Sequence, residues 1–143
     1  VLTILPWVAT IDAFQHAVYT HPQWNIEDRT QAWLSVHKRF GGSVVDWSGL
    51  EAERSVIWQK QLHLFEVPFY YIEYAIAQLG AIGVWRNYKR DPVKAVAQYK
   101  TALSLGYTKP LPEIYATAGI RFDLSTGYVK ELIGFVQAEL DLL

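Results

Sequence analysis

The segment from Pro68 to Tyr88 constrains the fold most strongly, because apolar and small residues dominate it over more than five helical turns. Pro68 suits the first position of a helix, where its missing N–H is not needed, and the next proline is Pro92. At a rise of 1.5 Å per residue, a helix of about 20 residues crosses a small domain. The segment therefore predicts a long helix that starts at Pro68.

The two halves of this predicted helix differ in side-chain size. Small side chains in the second half would let neighbouring helices approach closely, which predicts a central and mostly buried helix. The first half is aromatic and the second is small: Tyr70, Tyr71 and Tyr74, then Ala75, Ala77, Gly80, Ala81 and Gly83.

Apolar residues recur at helical spacing along the rest of the chain, and no stretch shows the two-residue alternation of a strand. Helix start signals stand at Asn25, with Asp28 three residues later, at Asp91 before Pro92, and at Ser125. We therefore predict an all-α fold, a single bundle-like domain of about six or seven helices over residues 1–143.

Four of these predicted helices carry specific expectations. The first runs from about Leu2 to Tyr19, and another runs without a break from Ser48 or Gly49 to Phe65 or Glu66. The second ends at Gly41-Gly42 and places His37 on its polar side. The last presents one apolar face to the core: Val129, Leu132, Ile133, Val136, Leu140 and Leu143.

Composition excludes several classes of function. A net charge of −1 and a pI near 6.5 provide no basic face for nucleic acid, and no cluster of lysines indicates a membrane surface. The absence of cysteine excludes a disulfide framework and fits a reducing, cytoplasmic compartment. Pro6 and Asp12 interrupt the apolar start, and no basic leader precedes it, so we expect neither a signal peptide nor a membrane span.

The chain has the composition expected of part of a larger protein. Its aromatic content of 15% is high for a soluble domain and indicates apolar surface that faces another part of the same polypeptide. Methionine is absent, including at the start, so we expect the chain to begin inside a longer reading frame. Self-association of such a piece is an expected consequence of its exposed apolar surface.

Polar residues in buried surroundings are the candidates for function. The three tyrosines could face polar atoms at the end of the bundle, or they could line a cleft and donate hydrogen bonds to a substrate. Asp12 fits a structural ion pair or a substrate contact. His63 stands next to the predicted kink at Pro68, where it could bond a nearby carbonyl or donate to a peptide oxygen.

Several of these stretches together resemble the C-terminal part of the oligoendopeptidase F family, zinc metallopeptidases related to thimet oligopeptidase. The resemblance covers nearly the whole chain. It rests on LPWVATIDAFQH (Leu5 to His16), VDWSGLE (Val45 to Glu51), HLFEVPFYYIEYAIAQLGA (His63 to Ala81) and SLGYTKPLPEIYATAGIRFD (Ser104 to Asp123).

The resemblance implies an all-helical peptidase that cuts short peptides in a deep channel. An HExxH helix and a later glutamate hold zinc in that family, and C-terminal tyrosine and histidine side chains support the tetrahedral intermediate. This implies that one or two of His63, Tyr70, Tyr71 and Tyr74 donate to the transition state. Helical spacing leaves two pairs of tyrosines open. Tyr71 and Tyr74 are three residues apart and share one helical face, whereas Tyr70 and Tyr74 are four apart and share another.

The chain departs from that family pattern at the metal. It contains no HExxH, and none of its four histidines has the i, i+4 spacing that brings two imidazoles together. We therefore expect a C-terminal fragment that binds no zinc and is inactive alone, with short peptides and the N-terminal remainder of the polypeptide as partners.

A stand-alone helical interaction module is the alternative interpretation. The stretch AVAQYKTALSLGY superficially resembles half of a tetratricopeptide unit. Repeat proteins of that class need further copies at a period of about 34 residues, and the sequence contains no second copy.

Overall fold

The computed structural model describes residues 3–143 and contains no strand in that range, which confirms the prediction of an all-α fold. The predicted start of the first helix at Leu2 lies outside the described residues. The elements are α1 (Ile4–Thr20), α2 (Ile26–Phe40), α3 (Glu51–Val56), a 3-10 helix (Ile57–Lys60), α4 (His63–Glu66), α5 (Ile72–Arg90), α6 (Pro92–Ser104), α7 (Leu111–Thr117) and α8 (Thr126–Leu140).

Contacts divide the chain into two compact units, one that ends at Ala75 and one that covers Ile76–Leu143. The first contains α1 to α4 and the first turn of α5. The second contains the rest of α5 and α6 to α8.

The core of the first unit is aromatic and lies where α1 meets α2. Ile11, Phe14 and Trp33 are buried there, and the rings of Phe14 and Trp33 meet edge to face at 5.3 Å. The indole N–H of Trp33 donates to the carbonyl oxygen of Arg54 at 2.8 Å. This bond ties the α3 segment to the core through a buried donor.

The predicted helix starts are confirmed at three positions. Asn25 accepts a hydrogen bond from the backbone N–H of Asp28, whose side chain accepts from the backbone N–H of Asn25. Asp91 and Ser125 each accept from the N–H three residues later. These bonds satisfy N–H groups that have no partner inside a helix.

The prediction of one continuous helix from Ser48 to Glu66 is wrong. The chain forms α3, the 3-10 helix and α4, with Gln61 outside the helical region at φ −88° and ψ 87°. Two side chains in this segment contact α1: Trp58 packs against Phe14 at 5.1 Å, and Gln61 accepts from Trp7 at 3.1 Å. Local helical spacing does not include these tertiary contacts.

The expected position of His37 on a polar face is also wrong, because its side chain is buried. Its ring lies 5.3 Å from that of Trp33 and 5.6 Å from that of Trp47, and Arg54 donates to its Nδ1 atom at 3.4 Å. The connection after α2 folds over this side of the helix and removes it from solvent.

The central helix differs from the prediction at its start. It begins at Ile72 and not at Pro68, because Phe69 has a φ of 59° in the left-handed region, which a helix cannot include. The aromatic start of the predicted helix is also less buried than predicted, since Tyr70 and Tyr74 are 48% and 37% exposed. The buried residues of α5 are Leu79, Gly80, Ile82 and Gly83.

In the second unit, Ala102, Ala118 and Ile120 form a buried cluster. An apolar cavity of about 440 Å³ lies beside it, lined by residues of α5, α6 and α7 that include Gly80, Tyr99 and Tyr115.

The apolar face predicted for α8 is right only in its middle. Leu132 and Val136 are buried, together with Tyr128, which the prediction did not include. Ile133 and Leu140 are 40% and 47% exposed, and Leu143 lies beyond the helix in solvent. The face of α8 that packs against the core is therefore narrower than the pattern of apolar residues indicated.

Candidate functional site

His63 and the three predicted tyrosines come together at one place in the first unit. His63 is the first residue of α4, Tyr70 and Tyr71 precede α5, and Tyr74 lies in the first turn of α5. The imidazole ring lies 6.1 Å from the ring of Tyr70, 4.9 Å from that of Tyr71 and 5.6 Å from that of Tyr74. We call these four residues the His63 cluster.

Only one of the three phenols is hydrogen-bonded to the imidazole ring. The Nε2 atom of His63 lies 3.1 Å from the phenol oxygen of Tyr74. Tyr70 instead lies with its ring nearly parallel to that of His63, at an interplanar angle of 13°. The two tyrosine pairs that spacing left open are thus no longer equivalent in their relation to His63.

Gln61 and Trp7, which the sequence did not indicate as site residues, extend this hydrogen bond into a chain. The side-chain nitrogen of Gln61 lies 2.7 Å from Nδ1 of His63, and the indole N–H of Trp7 donates to the side-chain oxygen of Gln61 at 3.1 Å. Trp7 belongs to the LPW motif, but nothing in the sequence relates it to a residue 54 positions later.

The phenol of Tyr71 is half-buried between these groups. Burial raises its pKa above the usual tyrosine range, and the neighbouring polar side chains of Trp7 and Gln61 oppose that rise. Because an unperturbed tyrosine already titrates near pH 10, Tyr71 carries its proton at neutral pH. It can therefore act as a hydrogen-bond donor but not as a phenolate base.

Phe69, which directly precedes Tyr70, has a left-handed backbone conformation that contacts with α1 stabilise. The backbone N–H of Phe69 donates to the buried side-chain oxygen of Gln15 at 2.9 Å. Its ring packs against His16 at 4.7 Å and Tyr19 at 5.1 Å. A bulky residue in this conformation costs about 1–2 kcal/mol, so these contacts on α1 stabilise a turn that the local sequence disfavours.

The other titratable candidates lie apart from these contacts. Asp12 is partly buried, and its carboxylate lies 3.6 Å from Nε2 of His16, which fits the structural ion pair that was one of its two interpretations. His21 is exposed and stacks on Trp24 at 4.2 Å.

No metal site accompanies the cluster. Between residues 3 and 143, no group of three or more histidine, aspartate or glutamate side chains could hold a metal ion. These residues can donate hydrogen bonds from phenol hydroxyl groups and an imidazole, and the phenols of Tyr70 and Tyr74 are accessible from solvent. None of the helices described in that range is long and apolar enough to cross a membrane.

Comparison with known proteins identifies the family. Comparisons with curated proteins and with solved structures find no match. Peptidase family M3 matches the chain over residues 3–133, a range that contains α1 to α7, about half of α8 and the entire His63 cluster. The chain therefore belongs to peptidase family M3.

Proposed function

We propose that this chain is the C-terminal, substrate-side part of a zinc-dependent oligoendopeptidase of the oligoendopeptidase F type, which hydrolyses short peptides. The observation that carries the proposal is the convergence of three phenols on His63 in a chain of peptidase family M3. Hydrogen-bond donors of this kind can stabilise the negative charge that develops on the scissile carbonyl oxygen.

The proposed role of the cluster needs protonated and accessible donors. Tyr70 and Tyr74 are partly exposed, so a peptide can reach their hydroxyl groups. Tyr71 is less exposed and remains protonated for the reason given above. The fixed turn at Phe69 holds the donors in place before substrate arrives, which avoids reorganisation during the reaction.

The side chains described here do not fit a resident zinc ion. In the proposal, another part of the same polypeptide, carrying an HExxH helix and a later glutamate, binds the zinc. The contribution of this chain is to orient the peptide and to donate hydrogen bonds.

Phenylalanine substitutions in the full-length enzyme test this role. Y70F, Y71F and Y74F each remove one hydroxyl group, and H63N removes the imidazole. Loss of an oxyanion donor typically lowers kcat by about 100-fold to 1,000-fold. Tyr107 is fully exposed in the second unit, so Y107F serves as the matched control with unchanged turnover. Unchanged turnover in all four cluster variants would refute the proposal.

The isolated chain is expected to be inactive. A fluorogenic peptide should remain uncleaved when zinc is added to residues 1–143 alone, and addition of the N-terminal remainder should be needed for cleavage. Zinc-dependent cleavage by the chain alone would contradict this proposal. The absence of cysteine supports a cytoplasmic location, and the low net charge supports a peptide over a nucleic acid as ligand.

A stand-alone interaction module is less well supported. Family membership over residues 3–133 favours the peptidase, and the sequence has no second copy of the repeat-like stretch.

A further inference from the structure

We propose that Trp7 and Gln61 are positioning residues, which hold His63 in the tautomer with its proton on Nε2 and thereby leave the proton of Tyr74 free for the substrate. This inference rests on the proposed function of the His63 cluster. It adds two residues to that site and selects one of the three tyrosines as the donor.

The orientation of the Gln61 amide follows from Trp7. An indole nitrogen carries a hydrogen and can only donate. The indole nitrogen of Trp7 lies 3.1 Å from one end of the Gln61 side-chain amide, so the atom at that end must be the oxygen. The nitrogen of the same amide then faces His63. A rotated amide would place its NH2 group against the indole N–H, with two donors in contact.

The Gln61 amide in turn determines the tautomer of His63. Its nitrogen lies 2.7 Å from Nδ1 of His63, so Nδ1 has to accept a hydrogen bond. A neutral imidazole that accepts at one nitrogen carries its proton on the other. The Nε2–H group therefore donates across 3.1 Å to the oxygen of Tyr74.

The hydrogen bond between His63 and Tyr74 determines which acceptor the Tyr74 proton can reach. A phenol has one proton, and a phenol oxygen that accepts from His63 keeps that proton for another acceptor. Tyr74 is 37% exposed, so an acceptor outside the protein can reach it. Tyr70 has no hydrogen bond to His63 and stacks on its ring. Tyr71 is less exposed than Tyr74, so an acceptor outside the protein reaches its hydroxyl group less readily.

The tautomer can be measured without any assay of activity. In protein labelled with 15N at histidine, two-bond proton–nitrogen correlations distinguish protonated from unprotonated ring nitrogens. At about pH 8.5, well above the ordinary histidine value, His63 should show a protonated Nε2 and an unprotonated Nδ1. A proton on Nδ1 in the wild-type protein would overturn the inference.

Gln61→Glu is the decisive variant, because a carboxylate only accepts. It keeps the size of the side chain and the acceptor for Trp7, but it requires a proton on Nδ1 of His63. Nε2 then accepts from Tyr74 and withdraws its proton from the substrate. We expect the tautomer to change in Q61E. Q59E adds the same charge at an exposed position of the 3-10 helix that precedes Gln61 and should leave the tautomer unchanged.

Kinetics of the full-length enzyme separate this inference from the proposed function. Q61E should lower kcat by about 100-fold, as Y74F does, and the double variant should lose little more because both changes remove the same donor. Additive losses, or full turnover in Q61E when Y74F is impaired, would overturn the positioning role and leave the proposed function intact. If the tautomer changes as expected but every cluster variant keeps full turnover, the proposed function fails instead.

Discussion

The phenol oxygen of Tyr115 occupies the space where a side chain on Gly80 would begin. A Cβ atom built on Gly80 would lie 2.7 Å from that oxygen, which itself donates to the carbonyl oxygen of Ile76 at 3.0 Å. Heavy atoms of this kind normally stay well above 3 Å apart. The glycine in α5 therefore allows the tyrosine of α7 to bond the backbone of the helix.

Gly80→Ala should destabilise the protein by about 1–3 kcal/mol, the range typical of overpacking. The added methyl group has to displace the Tyr115 ring, which also packs edge to face against Phe122 at 5.2 Å. Urea denaturation followed by circular dichroism measures the change in unfolding free energy.

Gly134→Ala is the matched control for that substitution. Gly134 lies inside α8, and its Cβ would meet nothing within 4 Å. Alanine is favoured over glycine in a helix interior by about 0.5–1 kcal/mol, so G134A should stabilise the protein. If G80A and G134A changed the unfolding free energy equally, the contact with Tyr115 would not limit the size of the side chain at position 80.

Trp33→Phe should destabilise the first unit. Trp33 is fully buried, and its indole N–H is the donor to the carbonyl oxygen of Arg54. Leaving this partly buried carbonyl oxygen without its donor costs up to about 1–3 kcal/mol, and the smaller ring adds a cavity. Trp24→Phe keeps an aromatic ring to stack on His21 and should change the unfolding free energy by less than about 0.5 kcal/mol. A loss in W24F as large as that in W33F would contradict this prediction.

The stability of the protein should fall when the pH drops below 6.5, the ordinary value for histidine. Burial, and then the charge of Arg54, lowers the pKa of His37 in the folded protein. The unfolded chain therefore binds a proton at a higher pH than the folded protein does, so the contribution of His37 is complete above 6.5 and decreases as the pH falls through the folded value.

Thermal melts between about pH 7.5 and pH 5.5 bracket the ordinary histidine value and test this effect. H37Q should show a shallower pH dependence than the wild type, because glutamine does not titrate. H21Q replaces an exposed histidine and should keep the wild-type dependence. A wild-type slope in H37Q would show that His37 does not cause the loss.

Asn25→Ala should destabilise α2 by about 1 kcal/mol, with a range of about 0.5–2 kcal/mol. The substitution removes the side-chain oxygen that accepts from the backbone N–H of Asp28 at 3.0 Å. Asn25→Ser keeps an acceptor at that position and should retain most of the stability. Denaturant titration of the two variants measures the difference, and equal losses would mean that the cap contributes nothing.

Features that depend on a few neighbouring residues could be predicted from the sequence. The caps at Asn25, Asp91 and Ser125 each join groups three residues apart, so local residue types determine them. The all-α fold follows from the absence of any two-residue alternation. The resemblance also indicated the residues of the His63 cluster, although not which tyrosine bonds the imidazole.

Features that depend on residues far apart in the chain required the tertiary structure. One hydrogen bond joins Phe69 to Gln15 and another joins Trp7 to Gln61, and the partners of each bond are 54 residues apart. The first bond lies at the left-handed turn, and the second lies at the break in the helix that was predicted from Ser48 to Glu66. His37 is buried because Trp47 and Arg54 fold over it. Hydrophobic period alone determined that the chain forms helices. Long-range hydrogen bonds and packing decided where those helices break and which polar groups meet, because their free energy exceeds the small differences in local propensity.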